Sequence, residues 1–180
     1  MTSKTNCWRR IDFVGLEILQ LTKTQTAIEA RGTIIDAGDG QFSLSAVWKL
    51  DANWRSRSLD LTQRAASGER TLRIERGQRG WLIDGHARPD LADCLEIDVS
   101  ATPFCNGLAL HGLGHEPGEL TALYVDASDL SVQPSRQAYE RLGPRQWRYI
   151  DLGVAKGFKA VLDFDEDGLV TKYEGLFERV

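Results

Sequence analysis

Long apolar runs are missing from this chain. None approaches the roughly 20 consecutive apolar residues of a membrane-spanning helix, so no transmembrane segment is expected. The opening MTSKTNCWRRIDFVGLEILQL lacks both an apolar core of signal-peptide length and a small-residue cleavage site. Cysteine is sparse as well. Cys7, Cys94 and Cys105 are odd in number and have no metal-ligand spacing, which points to reduced thiols and a cytoplasmic protein of bacterial type. Clustered positive charge is absent too: 22 Lys and Arg against 26 Asp and Glu give a net charge of -4, with a pI of about 5.4. No nucleic acid is expected as a partner, because phosphate contacts need basic patches. The short stretches CWRRID and NWRSRS read as solvated strand faces. No internal repeat, low-complexity tract or linker divides the sequence, so residues 1–180 read as a single domain.

What is present is alternation. Hydrophobic residues make up 42% and charged residues 27%, an ordinary globular balance that supports a real core. In FSLSAVWKL, Phe42, Leu44, Ala46, Trp48 and Leu50 fall on one face, the pattern of a half-buried strand. TAIEARGTI places Ile28, Ala30, Gly32 and Ile34 together, TLRIER does the same for Leu72 and Ile74, and TALYVDA, RQWRYIDL and FKAVLDF continue the pattern. Turn signals separate these runs at 36–41, 66–69, 76–80 and 84–85. Short strands divided by Gly- and Asp-rich turns predict a mainly β protein with a many-stranded antiparallel sheet.

One stretch departs from the pattern. In SATPFCNGLALHGLG, Thr102 suits an N-cap and Pro103 the first helical position, while Gly112 and Gly114 can end a helix. Phe104, Cys105, Leu108, Ala109 and Leu110 circle the axis, with Asn106 the only strongly polar side chain before His111. A helix apolar nearly all round is buried on most sides. The spacing predicts one short buried helix, about 103–112, with the sheet curled around it.

Three segments in order, CWRRIDFVGLEILQL, RPDLADCLEIDVSATPFCNGLAL and GFKAVLDFDEDGLVTKYEGLFERV, resemble a bacterial glycolipid-binding family, and TLRIERGQRGWLIDGHARPDL extends the likeness over nearly the whole chain. The resemblance implies a spiral β-roll around a single helix and a homodimer. Within it, Cys105 stands where a Thr is usual before the Asn, and HGLGH replaces a more basic stretch.

The residues then suggest where a ligand would sit. Asp98 reads either as an anchor accepting hydrogen bonds from backbone or an arginine, or as half of a carboxylate pair with Glu96 on the same strand face. Asn106 on an apolar helix either bonds the sheet or faces a ligand. Among the tryptophans, Trp48 and Trp147 join Asp98 and Asn106 as ligand-binding candidates. The expected function is non-catalytic binding of a lipid or glycolipid between curved sheet and helix. The alternatives are an enzyme using Asp98, Glu96 or His111 on an amphiphilic substrate, and a structural dimer without ligand. No nucleophile elbow is visible, and no cofactor is expected. His111 and His115 are spaced like zinc ligands, but the glycines between them break a helix and no third ligand is evident. DFDEDGLVTKYE fits the calcium-loop formula through Asp163, Asp165, Asp167, Gly168 and Glu174. Period-two alternation before it predicts a β-hairpin instead.

Overall fold

The computed structural model describes residues 1–38 and 40–180. Strands β1 (Thr2–Arg10), β2 (Gly15–Lys23), β3 (Ala27–Asp36), β4 (Phe42–Asp51), β5 (Ser56–Ala65), β6 (Gly68–Gly77), β7 (Gly80–Ile83) and β8 (His86–Arg88) form an up-and-down meander. A short turn of 3-10 helix at Pro89–Leu91 leads to β9 (Glu96–Val99), helix α1 (Phe104–Gly112) and β10 (Gly118–Val125). A second meander follows: β11 (Val132–Arg141), β12 (Gln146–Asp151), β13 (Lys159–Phe164), β14 (Val170–Tyr173) and β15 (Phe177–Arg179).

These strands make one sheet with β8 and β9 at its edges, and β1 pairs with β15 to join the two meanders. The sheet is antiparallel at every seam but one. β9 and β10 run parallel, because the chain between them crosses back as a helix, and a crossover is what a parallel pair requires. The sheet is therefore mixed rather than purely antiparallel. It does not close by strand pairing; it curls until side chains tie its arms together. Trp81 Nε1 donates to the Cys94 carbonyl at 2.9 Å. Arg76 reaches the carbonyls of Ser56 and Leu95 at 2.8 and 2.7 Å, and Gln63 those of Ala127 and Ser128 at 2.7 and 2.6 Å.

The inner faces are the alternating sets expected from the sequence: Ile28, Ala30 and Ile34 on β3, Phe42, Leu44, Ala46, Trp48 and Leu50 on β4, and Leu72 and Ile74 on β6 are all buried. Trp8, Trp48, Trp81, Tyr139 and Phe104 are almost completely enclosed. Every residue of α1 from Phe104 to Leu110 is buried. The helix begins one residue later than its cap signals imply. Pro103 is the flanking residue, and Thr102 Oγ1 accepts the Phe104 N–H at 3.1 Å. Its other end closes by reciprocal bonds, Gly114 N–H to His111 O at 3.0 Å and His115 N–H to Leu110 O at 2.9 Å. Gly114 supplies the positive φ of 66° that this stop requires. No helix among the described residues is long and apolar enough to cross a membrane.

Register decides which loops share an end of the roll. The N-terminus of α1 lies at the end that carries 11–14, 126–131, 152–158 and 174–176; Ile11 N–H donates to Leu176 O at 3.0 Å there. The C-terminus of α1 lies with 142–145 and the 165–168 tip.

Candidate functional site

The second meander carries polar residues on an inward face. On β11, Gln137 and Tyr139 are buried; on β12, Tyr149 and Asp151 are buried, and Gln137 stands opposite Asp151 in the register. Buried polar groups need partners, and these form a chain. Asn106 Nδ2 of α1 donates to Tyr139 Oη at 3.1 Å. Tyr139 donates to Gln137 Oε1 at 3.4 Å, and Gln137 Nε2 donates to Asp98 Oδ2. On the far side, Asp151 accepts from the Tyr149 hydroxyl at 3.2 Å and the Gly153 N–H at 2.7 Å. Gln137 thus stands between two carboxylates, one reached by hydrogen bond and one by strand register.

Asp98, Asn106 and Asp151 line a cavity of about 230 Å³ at the N-terminal end of α1. Its other walls are aromatic and apolar, among them Tyr124, Tyr149, Val154, Phe158, Tyr173 and Phe177. Tyr149 meets Tyr139 edge-on at 5.5 Å and Tyr173 at 6.1 Å, and Phe158 and Phe177 continue the aromatic run at 6.4 and 6.1 Å from Tyr173. Burial pushes the Asp98 carboxyl up to about 6, the Gln137 hydrogen bond opposing and the nearby negative Asp151 adding to the rise. A second, more polar cavity of about 530 Å³ shares Ser100 with the first. Phe177 stands at the boundary, under the Arg10 guanidinium at 4.7 Å.

Two of the four expected binding residues come together here and two do not. Asp98 and Asn106 line the cavity; the Asp98 partner is the Gln137 amide rather than backbone or arginine, and Asn106 both bonds the sheet and faces the cavity. Trp48 is wholly buried, packed edge-on against Phe104 of α1 at 5.2 Å. Trp147 is buried under the Arg141 guanidinium at 4.4 Å and borders a separate cavity of about 290 Å³ beside His115 and Asp165. The space between helix and sheet is occupied by side chains such as Trp48, Phe104 and Leu108, so the expected seat for an acyl chain there is filled.

Glu96, Asp98 and His111 do not line one cavity. Glu96 is buried against Arg55 and Arg76 at 3.8 and 3.7 Å and accepts the Ser56 N–H at 3.1 Å. His111 lies at the far end of α1, stacked on Trp54 at 4.6 Å, with Nδ1 3.1 Å from His115 Nε2 and Nε2 3.3 Å from the Asp167 carbonyl. Burial and the neighbouring His115 lower its pKa to about 4. No group of three or more metal-ligating side chains occurs among the described residues.

The acidic 163–174 segment is a hairpin: Leu162 pairs with Tyr173 and Asp163 with Lys172. Asp165 Oδ1 accepts the N–H groups of Asp167 and Leu169, and its Oδ2 pairs with Lys4 and Arg179 at 3.1 and 2.7 Å. Glu174 accepts the Val161 N–H at 2.9 Å, four residues up the strand from Asp165, or roughly 13 Å at 3.3 Å per residue.

Sequence reasoning missed Asp151, Gln137 and the tyrosines. One signal was available. RQWRYIDL places Trp147, Tyr149 and Asp151 on one strand face, and a carboxylate continuing a buried aromatic face needs an explanation of its own.

A curled sheet wrapped on a buried helix, with a small aromatic cavity at one end, defines a β-roll. A family model described as "Putative glycolipid-binding" matches residues 5–179, and the chain belongs to that family. It is similar to a solved DUF1089-family protein from Pseudomonas aeruginosa, with 34% identity, 92% of each chain covered and a TM-score of 0.78. No curated protein matches the chain.

Proposed function

We propose that the protein binds, without chemistry, the polar head of a lipid-like or glycolipid-like amphiphile in the cavity at the N-terminal end of α1. The observation that carries this reading is one cavity with an aromatic wall and an acceptor floor of Asp98, Asp151 and Asn106. Ring faces pack on the apolar side of a head group while a few placed polar groups orient its hydroxyls. At about 230 Å³, below the ~300–1,000 Å³ of pockets for drug-sized ligands, it holds a head and not a chain. The tail then lies outside, along the exposed Ile11, Val14, Val154 and Phe158 at the same end of the roll.

Native mass spectrometry of protein prepared without detergent tests this. The expected spectrum contains a lipid-mass adduct that Asp98→Asn and Asn106→Ala weaken. Bare protein in every preparation, with no binding of added amphiphile, would overturn the reading.

Hydrolysis has one observation in its favour, the two carboxyls Asp98 and Asp151 on a single cavity. Turnover of aryl glycosides that Asp151→Asn abolishes would establish it instead. The family's name favours binding. A cytoplasmic homodimer completes the proposal; its contact surface would be the outward, exposed Leu16, Ile18 and Ile35 of β2 and β3.

A further inference from the structure

Every hydrogen bond that the structure gives to the Asp98 and Asp151 carboxyls comes from a neutral donor: the Gln137 amide, the Tyr149 hydroxyl and the Gly153 N–H. Among the described residues, no Lys, Arg or His lines their cavity. Other sheltered carboxylates do carry cations, as with Asp165 between Lys4 and Arg179 and Asp12 on Arg10, while the wholly buried Glu17 has none among the described residues but lines no cavity with a second carboxylate. Two sheltered carboxylates facing one space without a counter-ion are an expensive arrangement, since buried charge is normally paired.

Asn106 supplies an independent observation. The residue is only 6% exposed. An ionised Asp98 can only accept, so Gln137 must turn its NH₂ toward it and its carbonyl toward the Tyr139 hydroxyl. Tyr139 oxygen is then free to accept only from the Asn106 NH₂, as observed at 3.1 Å. The chain fixes the amide orientation and leaves Asn106, which lines the cavity, with no hydrogen bond to its Oδ1 among the described residues. Asp98, Asp151 and Asn106 therefore all present acceptors. The neighbouring Tyr149, Tyr173 and Phe158 rings are groups on which a cation can also rest.

We propose that the head group this cavity selects carries a protonated amine, as in an amino sugar or other alkylammonium head, whose N–H groups meet Asp98, Asp151 and Asn106. This rests on the head-group reading above and sharpens it. Anionic heads such as phosphate, which bring acceptors to acceptors, are rejected.

The test is calorimetric titration, below micelle concentration, with n-octyl glucoside and its 2-amino-2-deoxy counterpart, with octyl phosphate as the anionic control. The amino compound should bind at least about tenfold tighter at neutral pH, or roughly 1.4 kcal/mol. Asp98→Asn and Asp151→Asn, each checked by thermal melting, should weaken the amino compound far more than the neutral glucoside, so that the preference is lost. Equal affinity of the two glycosides in the unaltered protein, or tighter binding of the phosphate, would overturn the amine assignment and leave the head-group reading standing. Binding of none of them would overturn both. The comparison in the unaltered protein decides the matter even if a variant fails to fold.

Discussion

Gly107 of α1 lies so close to the carbonyl of Gly168 that a Cβ on residue 107 would stand 2.6 Å from that oxygen. The helix is thereby pressed onto the tip of the β13–β14 hairpin, with the His111 ring against the Asp167 carbonyl one turn later. Alanine at an ordinary helical glycine gains about 1 kcal/mol. Here the clash is with backbone, and Gly168, at φ 75°, cannot easily shift. Gly107→Ala should lose about 1–3 kcal/mol by denaturant unfolding, and Leu108→Ala, fully buried on the same helix, about 2–5 kcal/mol. A stabilised Gly107→Ala would show that helix and hairpin do not meet this way.

Burial pushes the Glu17 carboxyl from 4.5 up to about 8, and neither of its oxygens has a hydrogen-bond partner among the described residues. Below pH about 4.5 folded and unfolded chains both hold this proton. Between about 4.5 and 8 the folded chain holds more of it, so stability falls as pH rises, and the loss is complete above about 8. Across the window the effect is on the order of 4–5 kcal/mol. Glu17→Gln should flatten this part of the pH–stability curve and be the more stable protein at pH 9. Parallel curves for the two proteins would contradict the buried, unpaired carboxyl.

Much of this architecture was legible because alternation and turn chemistry are local. The inward faces of β3 and β4 and the all-round apolar helix follow directly from spacing, and DEDG marks its hairpin. The parallel β9–β10 seam was not legible, since strand pairing across a helix leaves no mark in either strand. The cavity was half legible. Asp98 and Asn106 stood out as polar residues beside an apolar helix, whereas Asp151 and Gln137 matter only because register sets β11 and β12 beside Asp98. Trp48 and Trp147 lie away from this cavity, and spacing could not have told so, because large aromatics serve packing and binding alike.

Calcium offers a clean check on the hairpin. Asp165 is already saturated by two N–H groups and two cations, and Glu174 is held on the Val161 N–H. Titration should show no binding tighter than ~1 mM, the weak end of calcium sites, and Glu174→Gln should change nothing. Micromolar binding lost in that variant would restore the calcium-loop reading.

The proposed self-association would use the outward row of Leu16, Ile18 and Ile35, each more than two-fifths exposed. Sedimentation at tens of micromolar, a range that detects micromolar affinity, should show a dimer, and Ile18→Lys should dissociate it. A lone 20.1 kDa species throughout would rule the dimer out.

The location of binding is tested most directly by NMR titration of isotope-labelled protein with an octyl glycoside or its amino counterpart. The largest shifts should fall on the Asn106 side-chain amide, Tyr149, Tyr173, Val154 and Phe158 around the cavity, with Trp48 and Leu108 in the core barely moving. Shifts concentrated at Trp48, Leu108 and the far end of α1, or no shifts at millimolar ligand, would contradict a head-group site at the helix N-terminus.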